Sequence, residues 1–67
     1  MTYTLEFIDE RTKKPIDGGP VDKTWYGMTE EKIIFLAIGW ACGLKARYKH
    51  PVVIVRDEKG TIVRMQH

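Results

Sequence analysis

A single cysteine, Cys42, leaves this chain no partner for an internal disulfide, so its 67 residues must be held together by packing. One core is marginal at that size, and association with another chain is a common source of added stability. Metal ligation offers no substitute. Two histidines, His50 and His67, and one thiol do not make the paired, closely spaced ligands that zinc requires, and no metal or cofactor is expected. No stretch is long and apolar enough to span a bilayer: the longest uncharged run, Ile33 to Leu44, is bracketed by Lys32 and Lys45 and falls well short of ~20 residues. The N-terminal MTYTLEF has neither the basic nor the apolar region of a secretory signal, which with the lone cysteine points to a cytoplasmic setting and no membrane partner. Charge of one sign is not in excess either, since 11 Lys and Arg face 9 Asp and Glu for a net +2. That balance neither demands nor forbids nucleic acid.

Catalytic sets are also missing, and no enzyme is expected. Cys42 lies among apolar residues in mid-helix, where a thiol acts as a small hydrophobe and not as a nucleophile. The adjacent acids Asp9-Glu10 and Asp57-Glu58 fall at strand ends and turns, not across a cleft. Gly18-Gly19-Pro20 is not followed by the Gly-Lys-Ser/Thr that would make a phosphate-binding loop.

What the sequence does contain is one small α+β domain over residues 1–67. Thr2 to Asp9 alternates, with Tyr3, Leu5 and Phe7 on one face, the period of a half-buried strand. ERTKKPIDGGP is turn chemistry; Lys14-Pro15-Ile16 can return as an edge strand, and Val21 to Tyr26 is a short extended piece. Thr29 is the N-cap of a helix predicted over Glu30–Tyr48, with Glu30 and Glu31 favoured in its first turn, Lys45, Arg47 and Lys49 at its end, and Pro51 as its stop. PVVIVRDEKGTIVRMQ reads as a hairpin whose Asp57-Glu58-Lys59-Gly60 turn closes on a left-handed glycine. The architecture is β(β)αββ, one helix packed on a mainly antiparallel sheet of three to four strands.

That turn implies a register. With Asp57 opposite Thr61, Val55 faces Val63 and Val53 faces Met65 beneath the helix, while Arg56–Ile62, Ile54–Arg64 and Val52–Gln66 form a chequerboard of aliphatic and guanidinium groups on the other side. One helix covers only one face, so this second face is either solvated or taken by a partner. Arginine among aliphatics suits a protein interface. The expected partner-binding set is therefore Arg56, Arg64, Ile54 and Ile62, joined by Tyr26 and the basic helix end, Lys45, Arg47 and Lys49. Trp25 is expected to fold onto the core and Tyr26 to stand exposed.

The helix is too apolar all round to serve one sheet alone. Ile33, Ile34, Ala37, Trp40, Ala41 and Leu44 form the face for the sheet, and Phe35, Ile38 and Cys42 extend the apolar arc. Gly39, Gly43 and Ala46 form a stripe of small residues, and two glycines in a helix cost about 1 kcal/mol each relative to alanine. A compensating close approach is implied, to a loop of the same chain such as Gly18-Gly19-Pro20, to a second copy, or to another partner. Gly39, Gly43, Phe35 and Ala46 are the candidate self-association residues of a homodimer.

The expected function is non-catalytic binding of a larger protein or nucleoprotein complex. Small size with surplus interface-type surface is the build of inhibitors carried by phages and mobile elements, anti-CRISPR and other anti-defence proteins among them, an analogy of size alone. Two alternatives remain open: a dimeric nucleic-acid-binding regulator, for which the basic groups Arg11/Lys13/Lys14, Lys45/Arg47/Lys49/His50 and Arg56/Lys59/Arg64 would supply phosphate contacts, and a small-molecule-binding or accessory subunit.

Overall fold

The computed structural model describes residues 1–67, and its elements follow in the order β1 (Tyr3–Asp9), β2 (Lys23–Trp25), α1 (Glu30–Lys45), β3 (Pro51–Asp57) and β4 (Ile62–Gln66). The four strands form one antiparallel sheet in the order β2-β1-β3-β4, so the two long strands are central and the helix crosses over from β2 to β3, passing β1. Pro15 returns beside Ile8 as an isolated bridge, the brief edge contact that a residue without an amide donor permits. The α+β architecture expected from the pattern is the one observed, with four strands and one helix on a single face.

Alternation decides which side chains meet the helix. β1 turns Tyr3, Leu5 and Phe7 inward, paired in register with Asp57, Val55 and Val53 of β3. From the helix, Ile33, Ala37, Ala41 and Leu44 close the core at the expected spacing, and the Phe7 ring lies 4.9 Å from that of Trp40 at a tilt of 49°. Trp25 packs against the edge of this core, while Tyr26 is exposed.

Both helix ends have explicit causes. The Thr29 hydroxyl accepts from the Lys32 N–H at 3.2 Å, with Glu30 and Glu31 next to it. The helix stops at Lys45, three residues before the expected end, because the Arg47 and Tyr48 N–H groups both fold back on the Leu44 carbonyl and the Tyr48 hydroxyl donates to the Gly18 carbonyl at 3.2 Å. The chain leaves the helix axis to pin the Gly18–Pro20 loop.

The β3–β4 turn forms as its sequence directs. Gly60 takes φ 84°, and the Asp57 carboxylate accepts from the Lys59 and Thr61 N–H groups at 2.9 Å each. Beyond the turn the register departs from expectation. Arg56 lies opposite Ile62, but a bulge follows and Val55 then faces Arg64, Ile54 faces Met65 and Val53 faces Gln66. One extra residue in β4 reverses the face of everything after it.

At the other end of β1, the Arg11 N–H donates to Asp9 Oδ1 at 2.8 Å and the Arg11 guanidinium lies 3.4 Å from Oδ2. The backbone donor first, then the guanidinium, hold the Asp9 carboxyl below its ordinary range. A carboxyl with a depressed folded pKa contributes stability that is present above the ordinary range and lost as pH falls through the folded value. An Asp9→Asn variant is therefore expected to be less stable than the parent at neutral pH and to lose less stability below about pH 4. Urea midpoints measured across that interval check it.

Candidate interaction surfaces

The sheet face away from the helix carries Thr4, Glu6 and Ile8 from β1, Val52, Ile54 and Arg56 from β3, and Ile62 and Met65 from β4. Its centre is closed: Val52 is fully buried and Ile54 is 6% exposed, although neither belongs to the helix-side core. Its margin is open, with Ile62 at 43% and Met65 at 45% exposure. Across it the Arg56 guanidinium is paired with the Glu6 carboxylate and donates to the Gly60 carbonyl at 2.7 Å. The arginine is thus held in place and its charge largely neutralised by its partner.

This face differs from the chequerboard expected. Arg64 is carried by the bulge to the helix side of the sheet edge, where its Nε donates to Gln66 Oε1 at 2.9 Å, and Met65 takes its place beside Ile54. Of the expected partner-binding residues, Ile54, Ile62 and Arg56 share one face, and Arg64 does not. Tyr26, next to the Trp25–Tyr3 pair, sits near the Asp57 end of the sheet, whereas Lys45 ends the helix at its far end and Arg47 and Lys49 lie just beyond it. The set is two or more separate patches, not one.

The structure brings together two of the three basic groups, the first turn and the helix end. The Glu10 N–H donates to the His50 carbonyl at 2.9 Å, which places the Arg11–Lys14 turn beside the chain leaving the helix. Arg11, Lys13, Lys14, Lys45, Arg47 and Lys49 therefore gather at one pole, while Glu30, Glu31, Asp57 and Glu58 lie at the other. The hairpin cations Arg56, Lys59 and Arg64 are not part of that pole. Arg11 is spoken for by Asp9, and the Tyr48 hydroxyl is tied to Gly18.

The outward face of the helix leaves a second apolar surface uncovered. Phe35 is 75% exposed, Ile38 is 43% exposed, and Gly39, Cys42, Gly43 and Ala46 are exposed with them. Cys42 is thus a surface thiol and not one enclosed by apolar neighbours. A groove of about 690 Å³ runs along this face between Gly39, Trp40 and Gly43 on the helix and the Gly18–Pro20 loop, with Tyr48 and Arg47 at its end. A second hollow of about 640 Å³ begins on the other side of Phe35, at Met28 and Lys32. Close packing of the two helix glycines within the chain does not occur: a Cβ built on Gly39 or Gly43 meets nothing within 4 Å. The loop forms the wall of the groove but does not fill it.

No group of three or more His, Cys, Asp or Glu side chains is placed to hold a metal ion, and no helix is long and apolar enough to cross a membrane. Comparison with protein-family models, with curated proteins and with solved structures finds no match to the chain.

Met65 and the convergence of the Arg11–Lys14 turn with the helix end are the site features that sequence reasoning missed. A bulge without glycine leaves no mark in a linear pattern, and the meeting of the basic groups depends on the Glu10–His50 hydrogen bond between distant segments.

Proposed function

We propose that this chain is a non-catalytic binding domain that engages a larger protein or nucleoprotein complex through the open face of its sheet. The supporting observation is the pairing of half-exposed Ile62 and Met65 with buried Ile54 and an ion-paired Arg56. An apolar margin around a fixed, neutralised charge is the make-up of a protein interface, where a few well-packed aliphatic and arginine side chains supply most of the binding energy. An inhibitor carried by a phage or other mobile element is the particular use that the size of the chain suggests.

The test compares three tagged proteins against a host lysate: the parent, an Ile62→Glu/Met65→Glu double variant, and Arg64→Glu. All three altered positions are exposed, so the fold is expected to persist. The parent and Arg64→Glu are expected to retain the same partner, and the double variant to bind it at least about 30-fold more weakly, the loss of its two exposed apolar contacts. Equal capture by the double variant removes the proposal.

One observation favours a second function, binding of nucleic acid at the basic pole. Six of the 11 Lys and Arg residues lie there: Arg11, Lys13, Lys14, Lys45, Arg47 and Lys49. Binding at that pole requires affinity for a plain oligonucleotide to fall steeply between about 50 and 200 mM salt, because each phosphate contact releases counterions.

A further inference from the structure

The helix glycines are unexplained by anything inside the chain. Gly39 and Gly43 have open space above them, and alanine at either would favour the helix by up to about 1 kcal/mol. They belong to a row at four-residue spacing, Glu31, Phe35, Gly39, Gly43 and Arg47, whose first four members stand exposed along the helix and whose last continues the row just beyond it. The row has a symmetry: about Gly39, Phe35 mirrors Gly43 and Glu31 mirrors Arg47. A protruding aromatic ring is thus matched by a hollow, and an acid by a base, at equal residue spacing on either side of Gly39.

We propose that two copies of this chain associate antiparallel through this face, about a two-fold axis passing close to Gly39. In such an interface every contact occurs twice, because the same patch serves both subunits. Phe35 of one copy enters the partner's groove over Gly43, against the walls made by Trp40 and the Gly18–Pro20 loop. Four residues of helix, ~6 Å, separate Phe35 from the axis, and the same distance separates Gly43 from it. With the four-residue rows of the two copies laid on one another, which crosses the helices at about 50°, Glu31 of each copy lies toward Arg47 of the other. Exposed Ile38 and Cys42 fall within the seam.

A second copy fits this surface better than a foreign partner because the surface carries both halves of the fit. An unrelated protein would need to supply a hollow for Phe35 and a knob for Gly43; this chain already presents both. The seam is distinct from the sheet face of the proposed function, since helix and open face lie on opposite sides of the sheet. A single helix gives an interface at the small end of stable association, so the dimer is expected at micromolar concentrations and above.

Sedimentation equilibrium from about 1 µM to 1 mM, at low salt, tests it. The parent is expected to pass from monomer to dimer over that range. Phe35→Asp and Gly43→Leu, both at exposed positions of the monomer, are expected to remain helical by circular dichroism and to weaken the dimer at least about 30-fold. Register is tested by charge: Glu31→Arg alone and Arg47→Glu alone are each expected to weaken association about 3-fold or more, and the two together to restore it. A parent that stays monomeric up to 1 mM overturns the proposal and leaves the face to a foreign protein. Dimers that persist in Phe35→Asp, or single reversals that the double variant fails to rescue, overturn it equally.

Discussion

Phe7→Ala is expected to leave little folded protein at 25 °C. Phe7 is 1% exposed, sits at the centre of β1 opposite Val53, and has its ring against Trp40, so its removal takes away the largest fully buried side chain and the aromatic contact that ties helix to sheet. Truncating such a residue costs about 3–5 kcal/mol, from lost transfer energy and the cavity left behind. A chain of 67 residues has a total stability of about 3–10 kcal/mol. A urea titration followed by far-ultraviolet dichroism is expected to show a midpoint near zero for the variant. A midpoint close to that of the parent would mean that the helix docks on the sheet in some other way.

Val52→Asp is the second large effect, and it arises on the side of the sheet that no helix covers. A face left open to water tolerates a carboxylate. Val52, however, is fully buried in the central strand β3, opposite the apolar Ile8, and a carboxylate there is taken out of water. An unpaired buried charge costs several kcal/mol in addition to the lost apolar contacts. Desolvation raises the folded pKa of the introduced carboxyl, so its penalty is absent below the ordinary carboxylate range and grows as pH rises through the interval up to the raised value. Unfolding at neutral pH with partial recovery toward pH 4 is therefore expected, and Val52→Asn, which carries no charge, should lack that recovery. Thermal unfolding of both variants at pH 4 and pH 7 is the measurement. A stable Val52→Asp protein at pH 7 would show that this face is wet throughout.

How much of this was legible in the sequence can be read from particular residues. The Tyr3-Leu5-Phe7 alternation, the Thr29 cap and the Gly60 turn each follow from local chemistry, and each occurs where the pattern placed it. The inward face of the helix was legible for the same reason, because its period is a property of the helix alone. The candidate surface was only half legible. The composition of the open face depends on register, and the bulge after Ile62 exchanged Arg64 for Met65 without altering any propensity. The helix glycines were visible as a cost, but whether the chain itself repaid it required knowing how far the Gly18–Pro20 loop stands from them.

The division of labour between two apolar faces, helix to self and sheet to partner, is tested most directly by a dilution series of backbone amide spectra from about 1 mM to 10 µM protein. Resonances of Phe35, Ile38, Gly39, Cys42 and Gly43 are expected to move with concentration toward a monomer limit, while Ile54, Ile62 and Met65 hold their positions. Movement of the sheet residues with the helix unchanged would contradict it, assigning self-association to the sheet and leaving the helix face for another protein.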